Sequence, residues 1–200
     1  MNNVSLCLTL AAAALLAGPA SARPGAAGSP SLEGSGCASS SDTTVRVLGS
    51  GKDGLPEQIG IRFSGHVARH SAGFSSVRRR SGCTIALVVH APAGKQFGIA
   101  GARYQGYAAL PDGASAQQQA DVAFGSSQAA SLRSSLAGPY RGSFDREVSL
   151  KPEELAWSPC EGAVPLTIRT EVRLTVTSAA SATVRMARHA YRLVWRSCTP

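Results

Sequence analysis

The sequence predicts an all-β fold, an antiparallel β-sandwich of about eight to ten strands closed by two disulfides. Three observations carry this. Apolar side chains recur at every second position through Val164, Leu166, Ile168, Val172, Leu174 and Val176, with Thr170 the one polar member of the row. A period of two sends one row into a core and the other into water. Clusters of Gly, Pro, Ser and Asp break the chain about every eight to twelve residues, and no stretch has a convincing helical period. Finally, Cys37, Cys83, Cys160 and Cys198 remain once an amino-terminal leader is set aside, an even number suited to two bridges in an exported chain.

The leader is Met1 to Ala22, read as a signal peptide. Val4 to Leu16 is apolar, Gly18-Pro19 interrupts the run, and Ala20-Ser21-Ala22 forms a small-x-small cleavage site. The apolar run is too short for a transmembrane anchor, and Cys7 lies inside it. Residues 23–41 are rich in Gly, Ala, Ser and Pro and read as a flexible lead-in. Residues 42–200 then form the sandwich domain, enough chain for one good core. Export places the protein outside the cell.

Within that domain, Thr43 to Leu48 and Gln58 to Phe63 alternate as short strands around a Gly-rich turn, and Ser64 to Gly82 is the least regular stretch. Thr84–His90 reads as a nearly continuous apolar strand. Gln96–Ala100, Arg103–Leu110, Gln117–Phe124, Ala130–Leu136 and Phe144–Leu150 follow as further strands, with one possible helical turn at Lys151–Ala156. Val164 to Trp195 reads as a long hairpin. Its second arm changes phase between Met186 and His189, the mark of one inserted residue, a β-bulge. A hairpin would bring Cys160 beside Cys198 at its open end. Of the three connectivities, Cys160–Cys198 is therefore expected, with Cys37–Cys83 by elimination.

The net charge is +8, and of the twenty basic residues only Lys52, Lys95 and Lys151 are lysine. Such a surface attracts acidic partners, here an anionic glycan or a cell-wall polymer. A bias toward Arg codons, with the charges spread over wet faces, explains the same composition. No stripe of aromatic and basic residues suited to stacking bases is present, so nucleic acid is not an expected partner. The candidate ligand surface is Tyr104, Tyr107 and Tyr140 with the run Arg78, Arg79 and Arg80.

Catalytic motifs are scarce. There is no Gly-x-Ser-x-Gly elbow, and four bridged cysteines leave no free thiol. His66, His70, His90 and His189 are the histidines; His66-x-x-x-His70 has a zinc-like spacing but lies in loop-like sequence. Glu153-Glu154 are adjacent and so point apart, which does not suit the paired acids of glycoside hydrolysis. No catalytic, cofactor or metal residue is assigned.

Several strings carry a resemblance: Gly34-Ser35-Gly36-Cys37, Cys83 with Ile85 and Leu87, Gln96-Phe97, and Tyr104-x-Gly106-Tyr107-Ala108. Gly138-Pro139-Tyr140, Trp157-Ser158-Pro159-Cys160 and Trp195-Arg196-Ser197-Cys198 complete the set. In this order they resemble the exported family known as domain of unknown function 4360, across about Gly34 to Cys198. Ala38 departs from the proline expected after the first cysteine. The resemblance implies an exported, disulfide-bonded domain and transfers no catalytic residue. The expected function is a secreted, non-catalytic binding or structural module. The alternatives are an exported hydrolase built on His90 or His189 with a nearby acid, and an inhibitor or effector of another protein.

Overall fold

The computed structural model describes residues 29–37, 43–49, 51, 53–73, 79–177 and 180–198. The leader and Arg78 lie outside them. Two antiparallel sheets face each other, as the alternation requires.

Among the described residues, eleven strands run in chain order. The first four are β1 (Ser31–Glu33), β2 (Thr43–Leu48), β3 (Gln58–Phe63) and β4 (Val67–His70). Then come β5 (Arg80–Ala91), β6 (Lys95–Leu110), β7 (Ala114–Phe124) and β8 (Ser127–Ala137). β9 (Tyr140–Ser149), β10 (Gly162–Val176) and β11 (Ala182–Ser197) complete the set, with one 3-10 turn at Pro152–Glu154. The five-stranded sheet has the order β1-β5-β10-β7-β8. The six-stranded sheet has the order β2-β3-β11-β6-β9, with β4 paired to β11 beyond β3.

The strands are where the alternation puts them, and three differences have plain causes. β1 lies within the expected lead-in: Ser31–Glu33 add an edge to β5, and Cys37 then anchors the chain by its bridge to Cys83. β4 rises from the irregular Ser64–Gly82 stretch because β11 is long enough to take a second short partner after β3. Gln96–Ala100 and Arg103–Leu110 are one strand, β6, since Gly101 and Ala102 are both buried and interrupt nothing.

The long hairpin is corrected. β10 pairs with β5 and β7, whereas β11 pairs with β3, β4 and β6, so the two arms are the middle strands of opposite sheets. Laid side by side, their apolar rows would share one face and still need a cover. Face to face, each row covers the other. Val164, Leu166, Ile168, Val172 and Leu174 of β10 and Val184, Met186, Tyr191 and Leu193 of β11 are all buried. The bulge is real: pairing with β6 skips Ala187, which with Arg188 lies exposed, and the inward row resumes at His189.

Both bridges join the cysteines that the sequence pairs. Cys37–Cys83 has its Cα atoms 5.5 Å apart and Cys160–Cys198 5.9 Å. The second does not staple a hairpin; it ties the approach to β10 in one sheet to the end of β11 in the other. Beside it, Trp195 packs at 5.2 Å from Phe97 and donates its indole N–H to the Pro56 carbonyl at 2.6 Å. Trp157 is half-buried over Gly98, with the Arg196 guanidinium 4.1 Å from the centre of its ring. Both tryptophans are thus structural anchors near the second bridge.

Candidate functional site: an arginine-walled cleft on the six-stranded sheet

Four strands of the six-stranded sheet each turn one row of side chains to solvent, and the register decides which of these meet. Thr44 pairs with Arg62, Arg62 with Arg188, and Arg188 with Gln105, forming one row across β2, β3, β11 and β6. The next row is Arg46, Gly60, Ala190 and Arg103. Gly60 and Ala190 carry almost no side chain, so the surface dips between the arginines. The result is a cleft of about 700 Å³ lined by Arg46, Arg62, Arg103 and Arg188, with Thr44, Gln58, Gln105 and Leu48 around them. A second hollow of about 430 Å³ continues it, sharing Gln58, Arg103 and Ala190 and extending to Glu57, Glu147 and Arg192.

The charges in this cleft are unequal in availability. Arg103 donates from Nε to Asp145 Oδ1 at 2.7 Å and from Nη2 to Oδ2 at 2.5 Å. The hydrogen bonds from Arg103 and Gln105 hold the Asp145 carboxyl down to a pKa of about 2, so that pair is ionised throughout the neutral range. The other ion pair among the described residues is Arg173–Glu171, on the opposite sheet. Among the described residues, Arg46, Arg62 and Arg188 therefore enter the cleft without a carboxylate partner. Arg62 and Arg188 are directly cross-strand neighbours. Like charges in that position repel, an arrangement that costs stability and that an anion between them would relieve. Each guanidinium offers a rigid fork of donors suited to a planar carboxylate.

The residues expected to form a ligand surface are not brought together. Tyr104 is fully buried between the sheets, and burial pushes its hydroxyl well above the ordinary tyrosine pKa; it leaves the candidate surface. Tyr107 is 39% exposed on the outward face of β6. Tyr140 packs against the core and donates its hydroxyl to the Ser143 carbonyl at 2.6 Å. Arg80 belongs to β5, in the other sheet, and Arg79 lies 3.4 Å from His70 Nδ1. Of the run, Arg78 lies outside the described residues, Arg79 precedes β5 and Arg80 begins it, so no arginine patch is shown there. The cleft was missed because its arginines are scattered singly over four strands. The one signal available was an outward Arg in Thr43–Leu48, in Gln58–Phe63 and at the bulge.

The histidines do something else. His66 and His189 are buried, their ring centres 5.8 Å apart with Phe63 4.8 Å from each. His66 Nδ1 lies 3.0 Å from Ser81 Oγ. His189 Nδ1 lies 3.3 Å from the Tyr191 hydroxyl and 3.5 Å from Thr170 Oγ1, which takes a 2.5 Å hydrogen bond from Gln118. The hydrogen-bond partners of both rings are hydroxyls, with no carboxylate among the described residues to orient a catalytic base. Burial lowers the His66 pKa to about 4, and burial together with the nearby His66 takes His189 well below its ordinary value. His90 is half-buried opposite Ala163 on the other sheet. His66 directly precedes β4 and His70 ends it, so the pair spans a strand rather than a helical turn, roughly 13 Å along the chain, too far to share a metal ion.

Comparison with known proteins adds the following. A protein from Arthroderma benhamiae described as an uncharacterized secreted protein is 30% identical over 119 residues, covering 58% of this chain. The chain spans about half (47%) of that relative's length. Among solved structures, TmCBM61 in complex with β-1,4-galactotriose superimposes loosely, with a TM-score of 0.30 and 11% identity over 82% of this chain and 88% of the other. Residues 28–198 match the model of the domain of unknown function DUF4360, and the chain belongs to that family.

Proposed function

We propose that this is a secreted, non-catalytic binding module whose ligand is an acidic glycan held on the outer face of the six-stranded sheet. The observation that carries the reading is the Arg62–Arg188 pair, two like charges placed side by side in a cleft whose described lining puts no carboxylate between them. Secretion is supported by the two disulfides, which persist in oxidising compartments, by the sequence of Met1 to Ala22, and by the secreted relative. A non-catalytic role is supported by the hydroxyl partners of the buried histidines.

The test is binding of the full mature chain to oligogalacturonate, read by calorimetry at low and high salt. Exposed charge pairs are screened beyond about 8 Å at physiological ionic strength, so affinity falls as salt rises. The double variant Arg62→Ala/Arg188→Ala loses at least tenfold in affinity. Arg169→Ala/Arg173→Ala, on the outward face of the other sheet, binds like the wild type. Equal binding by the first variant, or no binding of any acidic oligosaccharide by the wild type at low salt, overturns the reading.

A further inference from the structure

Resting on that reading, we infer that the cleft is graded along its length and seats a single acidic sugar at one end of a mainly neutral oligosaccharide. The grading is in the lining. Among the described residues, the half around Arg46, Arg62 and Arg188 contains no Asp or Glu, and the one further arginine there, Arg103, is already engaged by Asp145. The continuation of the same groove is lined by Glu57 and Glu147. Of its two arginines, Arg103 is the one held by Asp145, and Arg192 is turned to protein: its guanidinium donates to the Ala100 carbonyl at 3.3 Å and to Ser149 Oγ at 3.4 Å. A second acidic group on the ligand would therefore meet carboxylates rather than free guanidiniums.

The floor explains why a sugar fits and a bare polyanion does not. Gly60 and Ala190 are direct cross-strand neighbours, so the sheet offers a flat seat between them. Leu48, 42% exposed, leans over this seat: a Cβ on Gly60 would lie 3.0 Å from its Cδ1. A pyranose ring has a C–H face that suits such a patch and hydroxyls at its rim, and Thr44, Gln58 and Gln105 stand around the rim. A chain of phosphates has no use for the leucine or the flat floor. The carboxylate of a uronic acid, planar and bidentate, matches the paired forks of Arg62 and Arg188.

The experiment compares three probes on the full mature chain: a neutral xylo-oligosaccharide, the same oligomer bearing one glucuronic acid, and oligogalacturonate of equal length. The singly charged oligomer binds at least fivefold tighter than oligogalacturonate, and the neutral one binds weakest. Glu57→Gln/Glu147→Gln narrows the gap by raising oligogalacturonate affinity severalfold. Ala190→Leu, which fills the floor and leaves every charge in place, weakens the singly charged oligomer at least fivefold; Leu48→Ser, at an exposed site, does the same to a lesser degree. If oligogalacturonate binds as tightly or tighter, or Ala190→Leu is without effect, the graded subsite is wrong while the arginine cleft stands. If no acidic probe binds, both fall.

Discussion

At the scale of single residues, Gly36 is tightly constrained by the histidine cluster. A Cβ there would lie 2.4 Å from His66 Nδ1 and 2.9 Å from Ser81 Oγ, and the neighbouring Cys37 is fixed by its bridge to Cys83. Neither side can yield. Gly36→Ala should lower stability by about 2 kcal/mol or more, measured by urea unfolding. Ser35 is exposed, and Ser35→Ala should be much milder. The buried histidines were visible in the sequence only as four scattered His. That His189 would join the inward row followed from the phase change. That His66 would be buried did not, because its burial comes from β4, from the loop carrying Gly36 and from Ser81 of β5, three segments with no common pattern.

At the scale of elements, the bulge in β11 is the feature on which the inward row depends. Deleting Ala187 would only restore plain alternation, but inserting one residue after His189 would turn Tyr191 and Leu193 toward water, since a one-residue slip exchanges the two faces of a strand. The insertion should abolish the folded, exported product, whereas Ala187→Gly, at an exposed site, should be secreted and melt within a few degrees of the wild type. The sequence was informative to the same degree: periodicity states which way each side chain points. β2 and β3 have the bounds that their alternation indicates. Periodicity does not state which strand lies alongside. The β10–β11 hairpin failed on that point, and so did the arginine cleft, which exists only once Arg62 is known to sit opposite Arg188. Adjacent signals misled for both the hairpin arms and the Arg78–Arg80 run, because pairing in this fold is set by long-range contacts.

At the scale of the whole molecule, stability depends on pH through the pair of buried imidazoles. A histidine whose folded pKa lies below its unfolded value of about 6.5 binds fewer protons when folded. Its contribution is therefore fully present above that value and is lost as the pH falls toward the folded pKa. For His66 that window runs down to about pH 4, and the difference corresponds to about 3 kcal/mol. His189 extends the loss in the same direction. The melting temperature should thus drop steeply between pH 6.5 and 4, and His66→Gln should flatten the slope even if it lowers the plateau. Cys160→Ser/Cys198→Ser should cost roughly 2–4 kcal/mol at neutral pH, because it frees the tie between the two sheets; chemical unfolding with and without reductant checks it.

That tie has a mechanical consequence. Tension applied to the two ends of the chain enters at Cys37, crosses its sulfur bond to Cys83, and leaves through the bond from Cys160 to Cys198. The stretches spanned by these bonds, with separations of 46 and 38 residues, bear no load while the sulfurs stay joined. They hold β2, β3 and β11, three of the four strands under the arginine cleft, leaving only β6 in the line of force. A tethered copy pulled by flow would thus stretch elsewhere before those three strands were drawn out.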